Sequence, residues 1–356
     1  MASTYGHKIR MSIFGQSHGE ALGAVLDGLP AGERIDFEAL ARFMALRAPG
    51  RALTTQRRET DEVRVLSGIA DGVTCGAPLC LVIENRDTRS ADYEKMKFLP
   101  RPGHADYPAF VKYGGMNDAR GGGHFSARLT APLCAAGGIV MQLLNRKSVL
   151  IGAHVLSVLD VSDVSFDPMN VSREDFACAL QNDPFVLDQS KGDAMRLVIE
   201  DARKKGDSVG GVVECAALGL PVGVGEPMFD GLENAIAHAV FAVPAVKGLE
   251  FGEGFGAARL YGSQNNDPYT VRDGRVCVTK NAAGGILGGL STGAPLIFRA
   301  ACKPTPSIAI PQDTVDLRTN EPATLSVSGR HDPCVALRAV PCVMAAAALA
   351  LADYLL

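Results

Sequence analysis

The chain has 356 residues, of which 47% are hydrophobic and 21% are charged, a composition typical of soluble globular proteins. Its formal net charge of −4 argues against generic nucleic-acid binding, so its arginines matter as local clusters. Nine scattered cysteines without a C-x-x-C pair disfavour zinc, so we expect no metal, and they indicate reduced core thiols in the cytoplasm.

The first third of the chain predicts four strands and one helix. The strands are expected at residues 8–14, 21–26, 62–67 and 77–84. Apolar residues at helical spacing predict a helix over residues 36–46, with Asp36 as its N-cap. The N-terminus has no long apolar run behind its basic residues, so we expect no signal peptide.

The remaining two thirds mix helices and strands without a steady βαβ rhythm. Helices are predicted at residues 125–144, 173–180, 194–205 and 232–241, and strands at 151–159, 209–218, 249–251 and 294–302. The apolar run 340–352 is too short to span a bilayer and predicts a buried helix. Without a repeat or a clear linker, this order favours an α+β class and a single domain over residues 1–356.

Two early segments are candidates for chemistry. In residues 15–19, GQSHG, glycines bracket a Ser-His pair, so a tight turn would present the imidazole of His18. The alternative is a plain turn with a solvent-facing histidine. Arginines at positions 47, 51, 57 and 58 follow the predicted helix among Pro, Gly and Thr residues. They would form either a loop that closes over an anion or a solvated face.

The segment 101–128, RPGHADYPAFVKYGGMNDARGGGHFSAR, combines His104 and His124 with arginines and a glycine triplet. Bare glycine backbone exposes N–H groups, arginine binds phosphate or carboxylate at two points, and histidine moves protons near neutral pH. The triplet also precedes a predicted helix, whose N-terminus favours an anion. These features predict a site for an anionic small molecule, although a solvated turn-rich loop is the alternative. Neither the P-loop lysine pattern nor G-x-G-x-x-G after a strand is present.

Two late segments carry similar residue types. Residues 303–307, KPTPS, would hold hydroxyl and backbone donors rigidly against a ligand, or would simply connect two strands. Residues 329–333, GRHDP, place a cation, an imidazole and a carboxylate side by side before the last helix. Their alternative is a surface turn in which Asp332 caps that helix.

With these segments side by side, the chain resembles the chorismate synthase family from about residue 11 to the C-terminus. The motifs that carry the resemblance are GQSHG (15–19), RPGHADY (101–107), GGGHFSARLTAP (121–132), PAVKG (244–248), NAAGGILGG (281–289), KPTPS (303–307) and GRHDPCVALRAVP (329–341). The resemblance implies a layered β-α-β sandwich of antiparallel sheets around helices, assembled as a homotetramer.

The resemblance also implies an activity. Such an enzyme is a carbon–oxygen lyase that converts 5-enolpyruvylshikimate 3-phosphate to chorismate and phosphate by 1,4-trans elimination. This is the last step of the shikimate pathway, ahead of aromatic amino acid synthesis. Reduced FMN is required although the reaction has no net redox change. Because the sequence has no nucleotide fingerprint and no appended reductase domain, we expect an external reductant, and intrinsic reduction by NADPH stays open.

The resemblance assigns roles to individual residues. His104 would donate a proton to the departing phosphate, and His18 would protonate reduced flavin near its pyrimidine ring. Asp332 would assist at flavin N5, and Ser17 and Ser126 would support proton relay. FMN contacts are implied at Arg47, His124, Phe125, Ser126, Ala245, Gly288, Lys303, Pro304, Thr305, Pro306, Ser307 and Arg330. Substrate contacts are implied at Arg47, Arg51, His18 and Arg128.

Two positions depart from the family pattern, and two other functions fit the same residue types. Gln16 stands where relatives commonly have Glu, which removes a negative charge beside His18, and Ala48 replaces the second residue of Arg-Arg-Pro-Gly. A phosphatase or sugar-phosphate lyase without flavin would also use Arg, His and glycine-rich loops. A non-enzymatic anion-binding or nucleic-acid-binding module would bind polynucleotide in a salt-dependent way, which the negative net charge disfavours.

Overall fold

Helices and strands alternate irregularly in the computed structural model, which describes residues 3–50, 53, 61–85, 95–327 and 332–356. The helices are Phe37–Arg47 (α1), Asp106–Lys112 (α2), Thr130–Arg146 (α3), Arg173–Gln181 (α4), Gln189–Lys204 (α5), Leu232–Val240 (α6), Gly262–Asn265 (α7) and Ala336–Leu355 (α8). The strands are Thr4–Tyr5 (β1), Arg10–Gly15 (β2), Ala21–Asp27 (β3), Arg64–Ser67 (β4), Ile69–Ala70 (β5), Val73–Thr74 (β6), Leu79–Glu84 (β7), Leu150–Val158 (β8), Val161–Ser162 (β9), Gly211–Leu218 (β10), Val246–Phe251 (β11), Tyr269–Arg272 (β12), Arg275–Val278 (β13), Ile286–Leu287 (β14), Leu290–Ser291 (β15), Leu296–Cys302 (β16), Gln312–Asp316 (β17) and Glu321–Leu325 (β18).

Two five-stranded sheets enclose the central helices. The first sheet has the order β1-β2-β3-β7-β4 and the second the order β11-β16-β10-β8-β9. Neighbouring strands are antiparallel in both sheets. Helix α3 contacts strands of both sheets, and α8 packs along α3 and against the second sheet. The predicted α+β class and layered sandwich are therefore confirmed.

The two central helices pack closely because they are rich in small residues. A Cβ atom built on Gly137 of α3 would lie 2.4 Å from the Cβ of Ala345 of α8, so no larger residue fits between them. Helical spans Ala127–Arg146 and Ala336–Leu355 are long and apolar enough to cross a membrane, but 83% and 89% of their apolar windows are buried inside the protein. That burial is typical of core helices, and it confirms the predicted buried C-terminal helix.

The chain termini are joined by one carboxylate. Asp353, near the end of α8, accepts hydrogen bonds from the backbone N–H groups of His7, Lys8 and Ile9, at N–O distances of 2.8, 2.5 and 2.9 Å. These bonds satisfy donors just before β2, of which that of Ile9 belongs to a buried residue. They fix the N-terminal strand, and with it the GQSHG turn, relative to the last helix.

Most predicted elements are found, with shifted ends. Asp36 caps α1 as predicted, since its carboxylate accepts a hydrogen bond from the N–H of Ala39 at 2.8 Å. The helix predicted from residue 125 begins only at Thr130, because 3-10 turns occupy Arg120–Phe125 and Ala127–Leu129. Three hairpins that the sequence analysis does not predict are β12–β13, β14–β15 and β17–β18.

Candidate active site

One cavity of about 470 Å³ brings together most of the predicted site residues. Its wall comes from the loop before α2, the glycine-rich turn before α3, the loop before β11, the segment after β16 and the start of α8. The predicted site residues that line it are Arg47, His104, His124, Phe125, Ser126, Arg128, Ala245, Lys303, Thr305, Pro306, Ser307 and Asp332. These segments are far apart in sequence, so the cavity exists only in the folded chain.

Four of the predicted site residues are not among those that line the cavity, and two more lie outside the part of the chain that the structure describes. Gly288 occupies the turn between β14 and β15, and Pro304 packs on Gly210. Neither they nor Ser17 and His18 are among the described residues that line the cavity. Arg51 and Arg330 lie outside the described residues.

The glycine triplet lies against both of the predicted catalytic histidines. Gly121, Gly122 and Gly123 have φ values of +58°, +85° and +54°, a backbone region that side chains rarely allow. A Cβ atom on Gly121 would lie 2.3 Å from Cε1 of His18, and one on Gly122 would lie 3.1 Å from Cε1 of His104. Side chains are therefore disfavoured here, because Gly121 and Gly122 each have an imidazole against them and a Cβ atom on Gly123 would lie 2.0 Å from the carbonyl oxygen of Asp118.

His18 is buried beside the triplet. Its side chain is 8% exposed, and its Nδ1 lies 3.2 Å from the hydroxyl oxygen of Ser17. The N–H of Ser17 in turn donates a hydrogen bond to the carbonyl oxygen of Gly123 at 3.1 Å. The GQSHG turn is thus hydrogen-bonded to the glycine-rich turn. Gly121 contacts His18 and also lines the cavity.

His104 belongs to a compact cluster with Arg101 and Asp106. Its Nδ1 lies 2.6 Å from Oδ1 of Asp106, and Arg101 donates to both oxygens of that carboxylate, from Nε at 2.7 Å and from Nη2 at 2.9 Å. Burial alone would raise the pKa of Asp106, but hydrogen bonds from Arg101 and His104 hold it well below its usual range. Arg101 also donates to the hydroxyl of Ser307 at 3.1 Å, which joins the cluster to the KPTPS segment.

Two arginines of the cavity share one buried carboxylate. Nη1 of Arg47 lies 2.6 Å from Oδ2 of Asp61, and Nη1 of Arg128 binds Oδ1 of the same residue. Arg47 is 2% exposed and also donates to Thr130 and to the carbonyl of Ala127. Burial alone would raise the pKa of Asp61, but the charges of both arginines lower it. One negative charge is thus set against two positive charges at the base of the cavity.

His124 is held by contacts within the chain. Its Nδ1 donates to the carbonyl oxygen of Gly15 at 3.0 Å, and its Nε2 lies 2.9 Å from the hydroxyl of Ser3. Both ring nitrogens therefore have partners outside the cavity. The next residue, Phe125, is 39% exposed and packs near Tyr113, with the ring centroids 6.4 Å apart. Ser126 accepts a hydrogen bond from the N–H of Arg128 at 3.3 Å and caps the turn before α3.

The KPTPS segment is fixed at both ends. Lys303 binds the carbonyl oxygen of Gly103 through its ammonium group, and its N–H donates to the carbonyl of Ala245. Burial, together with the charge of Lys247, lowers the pKa of Lys303. In the middle of the segment, the hydroxyl of Thr305 donates to the carbonyl of Asp332 at 2.8 Å. At the other end, the hydroxyl of Ser307 accepts from Arg101 at 3.1 Å.

Asp332 is paired with an arginine from the last helix. Nη1 of Arg338 lies 2.7 Å from Oδ2 of Asp332, and its Nε donates to the carbonyl oxygen of Arg47 at 3.0 Å. Arg338 lines the cavity too, so it links the start of α8 to the end of α1.

Comparisons with known proteins agree over nearly the whole chain. The chorismate synthase family model matches residues 9–356. The chorismate synthase of Lancefieldella parvula is 47% identical, with 100% of this chain and 96% of that protein aligned. That of Thermococcus kodakarensis is 46% identical, with 99% and 97% aligned.

The chain belongs to the chorismate synthase family.

A solved structure agrees with this assignment. The structure titled "Crystal Structure of Chorismate Synthase" has a TM-score of 0.77 and 27% sequence identity, and the match covers 98% of this chain and 92% of that one. The family assignment confirms the predicted reaction: this chorismate synthase family member is a carbon–oxygen lyase. It converts 5-enolpyruvylshikimate 3-phosphate to chorismate and phosphate by 1,4-trans elimination, the last step of the shikimate pathway.

Within this chorismate synthase fold, several site residues are absent from the sequence-based assignment of roles. They are Arg101, Asp106, Asp61 and Arg338, which bind or orient predicted residues. The first two had a local signal, because a carboxylate two residues after His104 and an arginine three residues before it lie in one motif. Asp61 had no such signal, since its two partners come from α1 and from the turn before α3.

Proposed function

We propose that this chain binds reduced FMN and 5-enolpyruvylshikimate 3-phosphate together in the 470 Å³ cavity and eliminates phosphate there. The main support is that one cavity collects the glycine-rich turn, His104 and the basic side chains. Its volume falls within the range of roughly 300–1,000 Å³ that is usual for ligand pockets.

The wall of the cavity fits a flavin phosphate. It offers hydroxyl groups from Ser126, Thr305 and Ser307, the ammonium group of Lys303 and an aromatic ring from Phe125. The chemistry that reduced FMN supplies when bound is transient electron donation to the allylic system, with no net oxidation. We propose FMN contacts at Arg47, His124, Phe125, Ser126, Ala245, Gly288, Lys303, Pro304, Thr305, Pro306, Ser307 and Arg330.

Electrostatics favour an anionic substrate in this cavity. The described charged residues in the wall are the basic Arg47, Arg101, Arg128, Lys303 and Arg338 and the acidic Asp332. Asp61 and Asp106 bind arginines from behind the wall, so the basic groups still outnumber the acidic ones. The excess would balance the phosphate and carboxylates of the substrate and stabilise charge on the leaving group. We assign substrate contacts to Arg47, Arg51, His18 and Arg128.

We assign the proton transfers to two histidines that both contact the glycine triplet. His104 lines the cavity, and we assign it the proton that passes to a phosphate oxygen as the carbon–oxygen bond breaks. We assign protonation of the reduced cofactor to His18, with Ser17 and Ser126 in the relay of protons. Asp332 would assist at flavin N5, because it lines the same cavity, where it is ion-paired with Arg338.

Assembly and cellular context are also proposals. We infer a cytoplasmic homotetramer that takes reduced flavin from an external reductant, without nucleic-acid or membrane partners. The tetramer is supported by large apolar side chains that a single chain leaves exposed between residues 222 and 290, such as Phe229 and Phe255, each 83% exposed.

Chorismate formation under anaerobic conditions tests the function. We expect turnover with dithionite-reduced FMN and none in flavin-free buffer. Because a general acid contributes about 10²- to 10⁴-fold, His18→Ala and His104→Ala should each lower kcat by at least about 100-fold without unfolding. Replacing the exposed His7 by Gln is the matched control and should leave kcat unchanged. Activity of the flavin-free protein would overturn the proposal.

The two histidine roles are separated by spectroscopy of the bound reduced flavin. If His18 protonates the cofactor, His18→Ala should change the absorbance of bound reduced FMN as a function of pH, whereas His104→Ala should not. The opposite pattern would exchange the two roles while leaving the reaction itself intact.

A further inference from the structure

The carboxylate of Asp106 contacts both the imidazole of His104 and the guanidinium group of Arg101. Its Oδ1 lies 2.6 Å from Nδ1 of His104, and its Oδ2 accepts from the side chain and from the backbone N–H of Arg101, at 2.7 and 3.1 Å. The side chains of all three residues are largely buried, with 9%, 15% and 16% exposed for Arg101, His104 and Asp106. A carboxylate held from both sides in this way has little freedom to move.

We propose that Asp106 is a positioning residue that acts through His104: it fixes the ring with Nε2 toward the glycine-rich turn and holds a negative charge against a ring that lies beside Arg101. This inference rests on the proposed role of His104 as a proton donor.

The geometry determines which nitrogen carries out the chemistry. An ionised carboxylate only accepts hydrogen bonds, so Nδ1 of His104 is the donor in this pair. A Cβ atom built on Gly122 would lie 3.2 Å from Nε2, which places that nitrogen against the glycine-rich turn. When the Nε2 proton passes to phosphate, the neutral ring keeps its Nδ1–H and its bond to Asp106. No proton needs to move to the carboxylate.

The charges around His104 explain why a carboxylate is needed. Nη2 of Arg101 lies 3.1 Å from Nδ1 and 3.4 Å from Nε2, and Lys303 binds the carbonyl of the preceding Gly103. The imidazole therefore has one cation, Arg101, against it and a second, Lys303, bound to the residue before it. Among the described residues, Asp106 is the carboxylate that contacts the ring. Burial alone would raise the pKa of Asp106, but hydrogen bonds from Arg101 and His104 keep it well below the usual range. It therefore stays ionised while the enzyme works.

Asp106→Asn tests the role, because it keeps the shape and removes the charge. We expect kcat to fall by at least about 100-fold, as for a carboxylate that orients a catalytic histidine, with a smaller change in KM. The alkaline limit of the pH–kcat profile should move to lower pH, since the protonated ring loses its counterion. Asp106→Glu should restore the position of that limit with only part of the rate.

A matched control and a double variant separate positioning from general structural support. Asp316 has the same two-point contact with an arginine, Arg318, and no histidine of the described part of the chain contacts it, so Asp316→Asn should keep the wild-type profile. If Asp106 acts through His104, Asp106→Asn should cause no further loss of kcat in the His104→Ala background. If Asp106 had a purely structural role, Asp106→Asn would lower kcat by a similar factor in the wild-type and His104→Ala backgrounds.

The outcomes distinguish this inference from the proposed function. Wild-type kcat and pH profile in Asp106→Asn, with His104→Ala inactive, would overturn the inference alone. Full activity of His104→Ala would overturn the proton-donor role on which it rests. If Asp106→Asn does not fold, as judged by thermal melting, the Asp106→Glu profile decides: a shifted alkaline limit in a folded, charged variant would contradict the charge argument.

Discussion

Gly121 and His18 are in direct contact, since a Cβ atom on the glycine would approach Nδ1 of the imidazole to 2.4 Å and Cε1 to 2.3 Å. Gly122 has the equivalent relationship with His104. The two imidazoles thus lie against successive residues of one turn. A single short segment of backbone therefore limits the positions of both imidazoles, and of these two rings that of His104 lines the cavity.

Gly121→Ala should therefore reduce catalysis more than stability. The new methyl group would displace His18, and a shift of about 1 Å at a reacting group costs on the order of 100-fold in rate. We expect kcat/KM to fall by about that factor in the anaerobic assay. Gly114→Ala is the matched control, because Gly114 has φ +59° and nothing within 4 Å of its Cβ position. Both variants share the backbone strain, so equal activities would show that the contact with His18 does not matter.

Asp61→Asn should destabilise the fold. Removal of the carboxylate leaves Arg47 and Arg128 buried together without their shared counterion, and breaking a buried pair costs about 3–5 kcal/mol. We expect a lower free energy of unfolding in urea at pH 7, with Asp313→Asn, an exposed carboxylate on β17, unchanged.

The same carboxylate predicts a pH dependence. The pKa of Asp61 is lowered in the folded chain, so its stabilising effect is present above the unfolded value of about 3.9 and is lost as the pH falls through the folded value. The difference in stability between wild type and Asp61→Asn should shrink below about pH 4. A difference that stays constant down to pH 2 would contradict this account.

His154 should make the protein more stable at mildly acidic than at alkaline pH. Its ring is fully buried, with Nδ1 3.0 Å from Asp163 and Nε2 3.0 Å from Glu214, so both nitrogens donate. Burial would lower the pKa of His154, but hydrogen bonds to Asp163 and Glu214 raise it. The resulting stabilisation is complete below the unfolded value of about 6.5 and is lost as the pH rises through the folded value.

Urea unfolding at pH 6 and pH 9, at one protein concentration, measures this effect. Wild type should lose stability between the two values, and His154→Gln should be less stable at pH 6 by about 3–5 kcal/mol and show a smaller difference. His7→Gln, at an exposed position, should behave as wild type. A wild-type protein that is equally stable at both pH values would show that His154 does not carry the charge.

The proposed tetramer predicts a solution mass of four chains of 37.4 kDa by light scattering. Phe229→Ser combined with Phe255→Ser should lower that mass, because burial of large apolar side chains drives stable association. Leu197→Ser on the outer helix α5, where Leu197 is 68% exposed, is the control and should keep the mass. A wild-type mass of one chain would overturn the proposed assembly.

The sequence indicates the features that depend on neighbours along the chain. The cap of α1 by Asp36 and the buried last helix follow from local patterns, and both are found. The β17–β18 hairpin is not indicated, because its strands, QDTVD and EPATL, show little apolar alternation. The helix predicted from residue 125 starts late because Ser126 is extended and caps a separate 3-10 turn over Ala127–Leu129 before the α-helix begins.

The motifs of the sequence alone determined the family and which residue types would carry the chemistry. Only the tertiary structure decided which of those residues meet: Asp61 between Arg47 and Arg128, His18 on Gly121, and Arg338 on Asp332. The physical reason is that ion pairs and steric contacts act over a few ångströms. Residues far apart in sequence reach that range only when two sheets and the helices between them pack as a whole.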